Sequence, residues 1–518
     1  MSGGYEMAIH VNKRREQKVA RINNEWANVH DSFFDELHIS REKLAEMEQQ
    51  LLGQIVLPCM PGYNKDRQEA ILTPYSAFPL IIVYCEIIND VRLCLQWAKE
   101  YDWWVTSRSG GHSFAGFSVN SGMVIDLSRM DHVCVDRELK QARVQPGTQF
   151  HKLDAVLQMY DLHLTSGTCP DVAVAGYMQG GGYGLMSREF GMHLDSVIEV
   201  LMMLYDGRIV VANESQNADL FWAVRGGTGG NFGILLETKY ALNPLGQIWG
   251  FCLQWPMAEA PQALHELQNN YMKTGAPKQL GYMAVWAIIK GTPTLLMIGV
   301  YNGQREEGLQ AIASLRACGA PKLQVDKVGK YGELGEALFG LLPGIPPGQP
   351  MITRSGYIAD LLSVEDWQGL TEFFATSVNP YNIVGIEAYG GAINEVAAEA
   401  TAFIHRDVSM DMFMFGFLDK PQGSTEKDEA WIDAFGQRMA PYQNGHMYQN
   451  YPQRDHPDFR WMYWGDAFNS LLFVKQKYDP HDFFNFEQSI SPYPEEGDIH
   501  RSRVPSMFSD PEIVYEPY

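Results

Sequence analysis

Two glycine-rich segments, 108–113 and 167–184, constrain this chain more than any other part of its sequence. The first reads Arg-Ser-Gly-Gly-His-Ser. The second begins Gly-Thr-Cys-Pro-Asp-Val and ends Gly-Gly-Gly-Tyr-Gly. Because glycine has no Cβ, the backbone of such loops approaches a ligand closely, and successive N–H groups form a concave nest for anionic oxygens. The glycines alone therefore predict a ligand that carries phosphate.

Two nucleophiles stand among these glycines, the imidazole of His112 and the thiol of Cys169. Both types of side chain form covalent bonds in proteins. Taken singly, each has a plainer explanation, because a Gly-Gly-His segment is usually a loop with a hydrogen-bonded histidine and a lone cysteine is usually an inert buried thiol. The presence of both, together with the motifs described below, favours a ligand that the protein holds covalently.

A third glycine cluster, Gly-Gly-Thr-Gly-Gly-Asn-Phe-Gly at 226–233, is superficially similar to a dinucleotide-binding loop. It comes late in its domain. It also lacks the strand, glycine turn, helix and acidic residue that a Rossmann fingerprint requires. The sequence therefore disfavours a Rossmann site here.

The composition is that of a soluble globular protein. The 518 residues suffice for two or three domains, with 46% hydrophobic and 20% charged residues. The net charge of -22 argues against nucleic acid or an anionic membrane as a partner. The seven cysteines include no CxxC pair, so no disulfide framework is expected. The polar start, 1–24, lacks the apolar core of a secretory signal, which predicts a cytoplasmic protein unless a leader is missing.

Segments 108–113 and 167–172 resemble the R-S-G-G-H and G-x-C-P-x-V-x-V motifs of the berberine-bridge-enzyme-like oxidases, a branch of the vanillyl-alcohol-oxidase flavoprotein superfamily. Asp-Leu-Phe-Trp-Ala-Val-Arg-Gly-Gly at 219–227, with Asn-Phe-Gly-Ile at 231–234, matches a longer motif of the same family. The endings Tyr-Asp-Pro and Gln-Ser-Ile, within 478–490, match as well. The resemblance covers about residues 52–495.

This resemblance implies an α+β fold, with a two-subdomain PCMH-type FAD-binding domain and a substrate domain built on an antiparallel sheet with helices on one face. The implied division is a helical extension over 1–51, FAD-binding domain over 52–244, substrate domain over 245–445, a return to the FAD-binding domain over 446–495, and a tail over 496–518. The pattern after Pro244 agrees, because its strands and helices lack a βαβ period. The extension is interpreted either as a packing arm or as a homodimer contact.

Apolar or alternating runs after Pro244 predict strands at 248–255, 280–289, 295–301 and 412–418, and helical spacing predicts helices at about 259–273, 305–317, 364–378 and 424–440. The proline-rich segment 341–350 is predicted to be a loop. Before Pro244, a strand at 78–83, a helix at 89–101 and a strand at 104–106 are predicted to lead to His112, and Asp-Gly at 206–207 predicts a hairpin turn.

The resemblance also implies FAD attached through both His112 and Cys169, and no metal. The other cofactor-binding positions that it implies are Arg108, Ser109, Gly110, Gly111, Ser113, Gly167, Val172, Gly176, Gly181, Gly182, Gly184, Ile234 and Asn450. In relatives, a valine at the position of Val172 leaves a pocket for O2, which implies an oxidase that forms H2O2. One departure is Tyr177, where the family usually has histidine. It leaves open how the phosphate or ribose region is held.

For the catalytic base the resemblance implies Tyr451, with Tyr448 and Tyr183 as supporting hydroxyls. A free phenol has a pKa of ~10 and is a poor base near neutrality. We therefore expect a cation or a hydrogen bond to lower the pKa of Tyr451. Glu387 falls near a position where some members have a site carboxylate, but an exposed strand residue is the favoured interpretation.

The function that follows is hydride transfer from an alcohol or related C–H centre to FAD, with reoxidation by O2. The partners are a small-molecule substrate and O2. A bulky secondary metabolite is the favoured substrate, because the signal for export is missing and Met283, Trp286, Phe413, Met414 and Phe415 are candidates for an apolar pocket, although core packing explains them equally well. The alternatives are a carbohydrate (oligosaccharide or hexose) oxidase, an amine or alkaloid oxidase with oxidative cyclisation, and a flavin carrier without turnover.

Overall fold

A computed structural model of the chain describes residues 16–75, 77–272, 275–419 and 425–493. The described residues form sheets of four, five, two and seven strands, with helices between them. The predicted tail and the first residues of the N-terminal extension lie outside the described part of the chain.

The N-terminal extension packs onto the body of the protein. Its helices are α1 (residues 16–25), α2 (Asp31–Glu36) and α3 (Arg41–Gln50). Trp26 and Leu44 are fully buried in a core shared with the first sheet. The Lys18 ammonium donates hydrogen bonds to three carbonyls at the end of α3, and Arg21 forms an ion pair with the buried Glu48. The extension is thus a packing arm, while a dimer contact stays a prediction.

The first sheet is small and mixed, in the order β1-β2-β4-β3. Its elements are β1 (Gln54–Val56), α4 (Tyr63–Asp66), β2 (Ile81–Tyr84), α5 (Ile88–Glu100), β3 (Val105–Arg108) and β4 (Met123–Asp126). Strands β2 and β3 both run parallel to β4. The predicted strand, helix and strand leading to His112 are therefore confirmed. The buried apolar run of β2 is typical of a strand covered on both faces.

The second sheet has five antiparallel strands in the order β5-β6-β10-β8-β9, and a two-stranded ladder lies beside it. The elements of this part are β5 (Val133–Asp136), β6 (Gln141–Val144), α6 (Phe150–Leu157), β7 (Leu162–His163), α7 (Val174–Gln179), α8 (Ser187–Phe190), β8 (Val197–Met203), β9 (Ile209–Asn213), α9 (Ala218–Val224), β10 (Ile234–Ala241) and β11 (Asn243–Pro244). The predicted Asp-Gly turn joins β8 to β9, with Gly207 at a φ of 83°.

The third body is a seven-stranded antiparallel sheet, in the order β15-β12-β14-β13-β17-β18-β16. Its strands are β12 (Ile248–Pro256), β13 (Leu280–Ile289), β14 (Thr292–Tyr301), β15 (Lys322–Gly329), β16 (Met351–Ile358), β17 (Ile383–Ala388) and β18 (Met410–Phe417). Its helices are α10 (Ala260–Tyr271), α11 (Arg305–Ala311), α12 (Ala313–Ala317), α13 (Tyr331–Phe339), α14 (Val364–Phe374) and α15 (Glu426–Met439).

Helices α10, α14 and α15 cover one face of the seven-stranded sheet. There Trp286 and Met414 are buried against helix residues such as Trp367, so these two are core residues and not pocket residues. Alternation along each strand turns Met283 and Phe413 to the opposite face. Helix α13 packs on that opposite face near the β15 edge, which departs from the expectation of helices on one face only.

The chain then returns to the second sheet. Helices α16 (Phe459–Trp464) and α17 (Phe468–Tyr478) pack with α9 into its core, and the Trp464 indole donates a hydrogen bond to the carbonyl of Gly226. None of the described helices has both the length and the apolarity that crossing a bilayer requires.

Candidate active site

A cavity of about 530 Å³ lies between the loops of the first two sheets and one face of the seven-stranded sheet, the face opposite α10, α14 and α15. One wall is formed by 109–113, 167–177 and 228–230. The facing wall is formed by side chains of β13, β17 and β18, and the segment 448–452 joins the two. The predicted loop at 341–350 contributes to the rim of the cavity.

Backbone contact brings the histidine loop and the cysteine loop together. A Cβ placed on Gly110 would lie 2.8 Å from the backbone nitrogen of Ala173, so only glycine fits there. The cysteine loop is fastened to the start of α6 by hydrogen bonds from Phe150 and His151 to backbone carbonyls. His112 and Cys169 therefore line one cavity, although they lie in separate motifs.

A carboxylate lies close to His112. The Nε2 atom of His112 lies 3.3 Å from Oδ2 of Asp171, two residues beyond Cys169. The neighbouring His112 imidazole lowers the pKa of the Asp171 carboxyl. Cys169 is accessible from the cavity, but its depth in the protein and the nearby charge of Asp171 raise the pKa of its thiol. Without a ligand, the thiol form is therefore favoured at neutral pH.

The loop wall has the shape and chemistry of a cofactor cradle. A Cβ on Gly176 would meet nothing within 4 Å, so this backbone faces open space. Gly167, Gly229 and Gly230 extend the same wall, which lets a large ligand lie against the main chain. The residues present thus fit a phosphate-bearing dinucleotide.

Tyr451 and Glu387 form the polar centre of the facing wall. The Tyr451 hydroxyl donates a 2.7 Å hydrogen bond to Oε1 of Glu387. Glu387 is buried on β17, so the expectation of an exposed strand residue was wrong. A central position in the sheet places its carboxyl inside the cavity wall, because β13 and β18 flank β17 on both sides.

Burial dominates the electrostatics of this pair. It raises the pKa of Glu387 to about 8, against a partial opposing effect of the Tyr451 hydrogen bond. Burial, followed by the charge of Glu387, raises the pKa of Tyr451 well above its ordinary value. The expectation that a cation or hydrogen bond lowers the pKa of Tyr451 was therefore wrong, because the group that faces its hydroxyl is an acceptor of the phenolic proton.

Aromatic rings surround the pair. The rings of Phe114, Phe413 and Phe415 lie 5.9, 5.3 and 5.5 Å from that of Tyr451, centroid to centroid. Gly385, directly opposite Phe413 in the sheet, leaves room for the Phe413 ring. The wall that faces the loops is thus largely apolar, with one hydroxyl and one carboxyl at its centre.

Tyr448 and Tyr183 direct their hydroxyls to other partners than Tyr451. The Tyr448 oxygen accepts hydrogen bonds from the backbone N–H groups of Gly182 and Tyr183 and from the amide of Asn450. The Tyr183 hydroxyl donates to the carbonyl of Ala388 at 3.0 Å. Both rings line the cavity. Their hydroxyl contacts fix the glycine loop and the end of β17, and give no support to a phenolate at Tyr451.

Most of the predicted site residues line the cavity. They are Ser109, Gly110, Gly111, His112, Ser113, Gly167, Cys169, Val172, Gly176, Tyr183, Tyr448, Asn450 and Tyr451. Five others lie behind the wall: Arg108, Gly181, Gly182, Gly184 and Ile234.

The first and last of these five have structural partners. The Arg108 guanidinium forms a buried 2.6 Å ion pair with Asp126 on the neighbouring strand, which anchors the start of the histidine loop. Ile234 is fully buried in a hydrophobic core at the start of β10. Neither side chain is free to contact a ligand in the cavity.

The three glycines serve close packing. Gly181 and Gly182 have φ values of 130° and 86°, which favour glycine. A Cβ on Gly182 would lie 2.5 Å from the His193 side chain, and one on Gly184 would lie 2.0 Å from the Ser166 carbonyl. These residues shape the loop that Tyr448 holds, and they do not form the cavity surface.

Several lining residues were missed by sequence reasoning. Thr228, Gly229 and Gly230 line the cavity. They belong to the cluster at 226–233, at which the sequence disfavours a Rossmann site. The long motif around that cluster was the signal that could have placed it in the cofactor site. Tyr177 also lines the cavity, and its hydroxyl donates a hydrogen bond to the Tyr183 carbonyl.

Comparison with protein-family models finds two matches. Residues 79–213 match a model described as FAD binding domain, and residues 447–491 match a model described as berberine and berberine like. The uncharacterised FAD-linked oxidoreductase YgaK of Bacillus subtilis is 30% identical over 447 residues, covering 85% of this chain and 97% of the relative.

Other relatives have more specific names. A carbohydrate oxidase of Microdochium nivale is 27% identical, covering 85% of this chain and 92% of the relative. A tetrahydroberberine oxidase of Berberis wilsoniae is 29% identical, covering 82% and 87%. The structure of wild-type BBE-like 1 from Physcomitrella patens has a TM-score of 0.79 and 23% identity, covering 87% of this chain and 100% of that chain. These matches show an α+β fold of the PCMH type.

We predict that Glu387→Gln stabilises the protein selectively at alkaline pH. The pKa of Glu387 is raised from 4.5 to about 8 on folding. The folded protein therefore binds this proton more tightly than the unfolded chain does. The bound proton contributes stability that is full below pH 4.5 and is lost as the pH rises through about 8. Glutamine keeps an oxygen for Tyr451 but does not ionise.

The check is the difference in melting temperature between Glu387→Gln and wild type, measured from pH 5 to pH 9. We expect the difference to grow with pH in favour of the variant. Glu336→Gln, on the less buried surface of α13, serves as the control and should give a flat difference. A flat profile for Glu387→Gln would show that its carboxyl ionises normally.

Proposed function

The chain belongs to the berberine-bridge-enzyme-like FAD-linked oxidoreductases, and from this premise we propose that it is an oxidase that holds FAD through His112 and Cys169 and oxidises an alcohol or related C–H centre of a bulky, largely apolar secondary metabolite. One observation carries this proposal. The Tyr451 hydroxyl and the Glu387 carboxyl, hydrogen-bonded to each other within an aromatic wall, line the same cavity as His112 and Cys169.

His112 and Cys169 are the residues that would hold the flavin. Both line the same cavity, and their loops touch through Gly110. When bound, FAD supplies acceptance of a hydride from the substrate and transfer of the electrons to O2. Val172 also lines the cavity, and a side chain of its size would leave space for O2 beside the loop.

Tyr451 and Glu387 would move the substrate proton. As a substrate hydroxyl loses its proton to the Tyr451 oxygen, the phenolic proton passes along the 2.7 Å hydrogen bond to Oε1 of Glu387. The phenolate is never released as a free anion, so the raised pKa of Tyr451 is no obstacle. The final acceptor is a carboxylate with a pKa of about 8, well matched to general-base catalysis near neutrality.

The apolar wall supports a secondary metabolite over a sugar. The side chains that face the loops from the sheet include Met283, Val285, Ile383, Phe413 and Phe415. A site for a carbohydrate needs many hydrogen-bonding groups, because each buried substrate hydroxyl left without a partner costs free energy. A carbohydrate oxidase is the second candidate, since one close relative has that name, and an alkaloid oxidase is the third, since another relative is a tetrahydroberberine oxidase.

We predict that two covalent bonds hold the flavin. Wild type, His112→Ala and Cys169→Ala should each keep the yellow colour in the acid-precipitated protein, because one bond suffices to retain it. The double variant should release the colour into the supernatant. Cys318→Ala is the control, because Cys318 lies outside the cavity wall and should change nothing. Complete release of colour from wild type would contradict the attachment.

We predict that Tyr451→Phe keeps the covalent flavin and slows anaerobic flavin reduction by more than ~100-fold, the scale of a lost acid–base contribution. Rapid mixing with a substrate found in the screen below measures the rate. Tyr381→Phe is a control on the same side of the protein, since Tyr381 does not line the cavity. Near-normal reduction in Tyr451→Phe would remove this residue from the proton path.

We predict that bulky aromatic alcohols and allylic alcohols bleach the flavin anaerobically and yield H2O2 in air, while hexoses and oligosaccharides do so at least about tenfold more slowly. One tenfold step corresponds to about 1.4 kcal/mol in barrier height. A peroxide-coupled screen of both panels, with a panel of tertiary amines beside them, measures this. Faster turnover of the sugars would replace the proposed substrate class with the carbohydrate one.

A further inference from the structure

A second carboxyl lies beside Glu387. Strands β17 and β18 pair so that Asp411 stands directly opposite Glu387, and side chains at directly opposed positions project from the same face of a sheet. Asp411 is fully buried. It does not line the cavity, whereas Glu387 and Tyr451 do.

Three carboxyl oxygens of this pair are without a hydrogen-bond partner among the described residues. They are both oxygens of Asp411 and Oε2 of Glu387, the oxygen that Tyr451 does not use. An isolated ionised carboxylate in an apolar interior is very costly. Two neighbouring carboxylates cannot both ionise near neutrality, since each charge opposes the other. A single proton held between them would join one oxygen of Asp411 to Oε2 of Glu387 by a hydrogen bond.

We propose that Asp411 and Glu387 share one proton, with Asp411 as the positioning residue that donates a hydrogen bond to Oε2 of Glu387. This inference rests on the proposed role of Glu387 as the final proton acceptor. The donated hydrogen bond stabilises the Glu387 carboxylate, so that a carboxyl surrounded by aromatic rings can ionise at a pH near its pKa of about 8 and then take the proton from Tyr451. In that step the proton moves from Tyr451 to Oε1, while the Asp411 proton stays on Asp411.

Burial and then the charge of Glu387 raise the pKa of Asp411, and the backbone N–H of Gly356 opposes them in part. The side chains around the pair give no further compensation. The titratable and charged groups that face the pair are the tyrosines Tyr177, Tyr183, Tyr357, Tyr389, Tyr448 and Tyr451, with His405 stacked on Tyr357 and Arg188 donating a hydrogen bond to the Tyr389 carbonyl. Burial lowers the pKa of His405, so this imidazole is neutral. The guanidinium of Arg188 is committed to backbone carbonyls.

Infrared pH titration of the flavin-loaded protein, without substrate, tests the pair. A protonated buried carboxyl has a C=O stretch that disappears on ionisation. We expect Asp411→Asn to remove a band that persists in wild type to alkaline pH. We expect Glu387→Gln to move the ionisation of Asp411 down by about one pH unit or more, because the neighbouring charge is gone. Asp154→Asn is the control, since this buried carboxyl has a pKa raised to about 7 and hydrogen-bonds to Ser166, outside the cavity wall.

A comparison of two Asp411 variants separates positioning from structure. Asparagine keeps an N–H donor for Oε2 of Glu387, whereas leucine has a similar size and no donor. The Glu387 ionisation should therefore stay within about half a pH unit of wild type in Asp411→Asn and rise by about one unit or more in Asp411→Leu. Equal titration of Glu387 in both variants, or an Asp411 band that Glu387→Gln leaves unmoved, would overturn the shared proton.

Failure of this inference is distinguishable from failure of the proposed function. Loss of covalent flavin or the absence of any oxidisable substrate would contradict the proposed function and leave these titrations measurable. Uncoupled titrations in a fully active oxidase would contradict the carboxyl pair alone.

Discussion

The site depends on one contact between two stretches of main chain. Gly110 lies against the backbone of Ala173, and a Cβ at Gly110 would lie 2.8 Å from the Ala173 nitrogen. Both loops are fixed on either side of this contact. Hydrogen bonds from Phe150 and His151 fasten the cysteine loop to α6, and the buried ion pair of Arg108 fixes the histidine loop where β3 ends. An imidazole and a thiol from separate motifs therefore reach one cavity.

The facing wall follows from the alternation of side chains in a single antiparallel sheet. One face is covered by helices and forms a core, while the other presents aromatic rings and the Glu387 carboxyl to the cavity, with Asp411 buried beside Glu387. Burial alone makes these carboxyls unfavourable as anions. Glu387 and Asp411 are adjacent on β17 and β18. On the proposal above, this reduces the free-energy cost of ionising one of them, because a proton held by one group stabilises the charge of the other. The raised pKa of Glu387 and its role as acceptor thus have the same physical origin.

Local signals in the sequence predicted the parts of the fold that local interactions determine. The bounds of β13 were predicted without error, and the glycine loops, the Asp-Gly hairpin and the helices α10 and α14 were found because apolar spacing or turn residues mark them. Strand β15 was missed because it is a polar edge strand that alternates half-buried with exposed residues. The burial of Glu387 could not be predicted, since it depends on β13 and β18, which come from distant parts of the chain. The direction of the Tyr451 pKa shift was missed for the same reason.

The segment 448–452 makes hydrogen bonds to both walls of the cavity. Tyr448 accepts hydrogen bonds from the Gly182 and Tyr183 N–H groups of the glycine loop, while Tyr451, three residues later, donates to Glu387 of the sheet. A change on β18, such as at Phe413, would alter the apolar surface offered to a substrate and leave the Tyr448 hydrogen bonds to the glycine loop intact. A change in the connecting segment would disturb both walls at once. Substrate preference is therefore separable from cofactor binding in this fold, whereas the position of the proton acceptor is not.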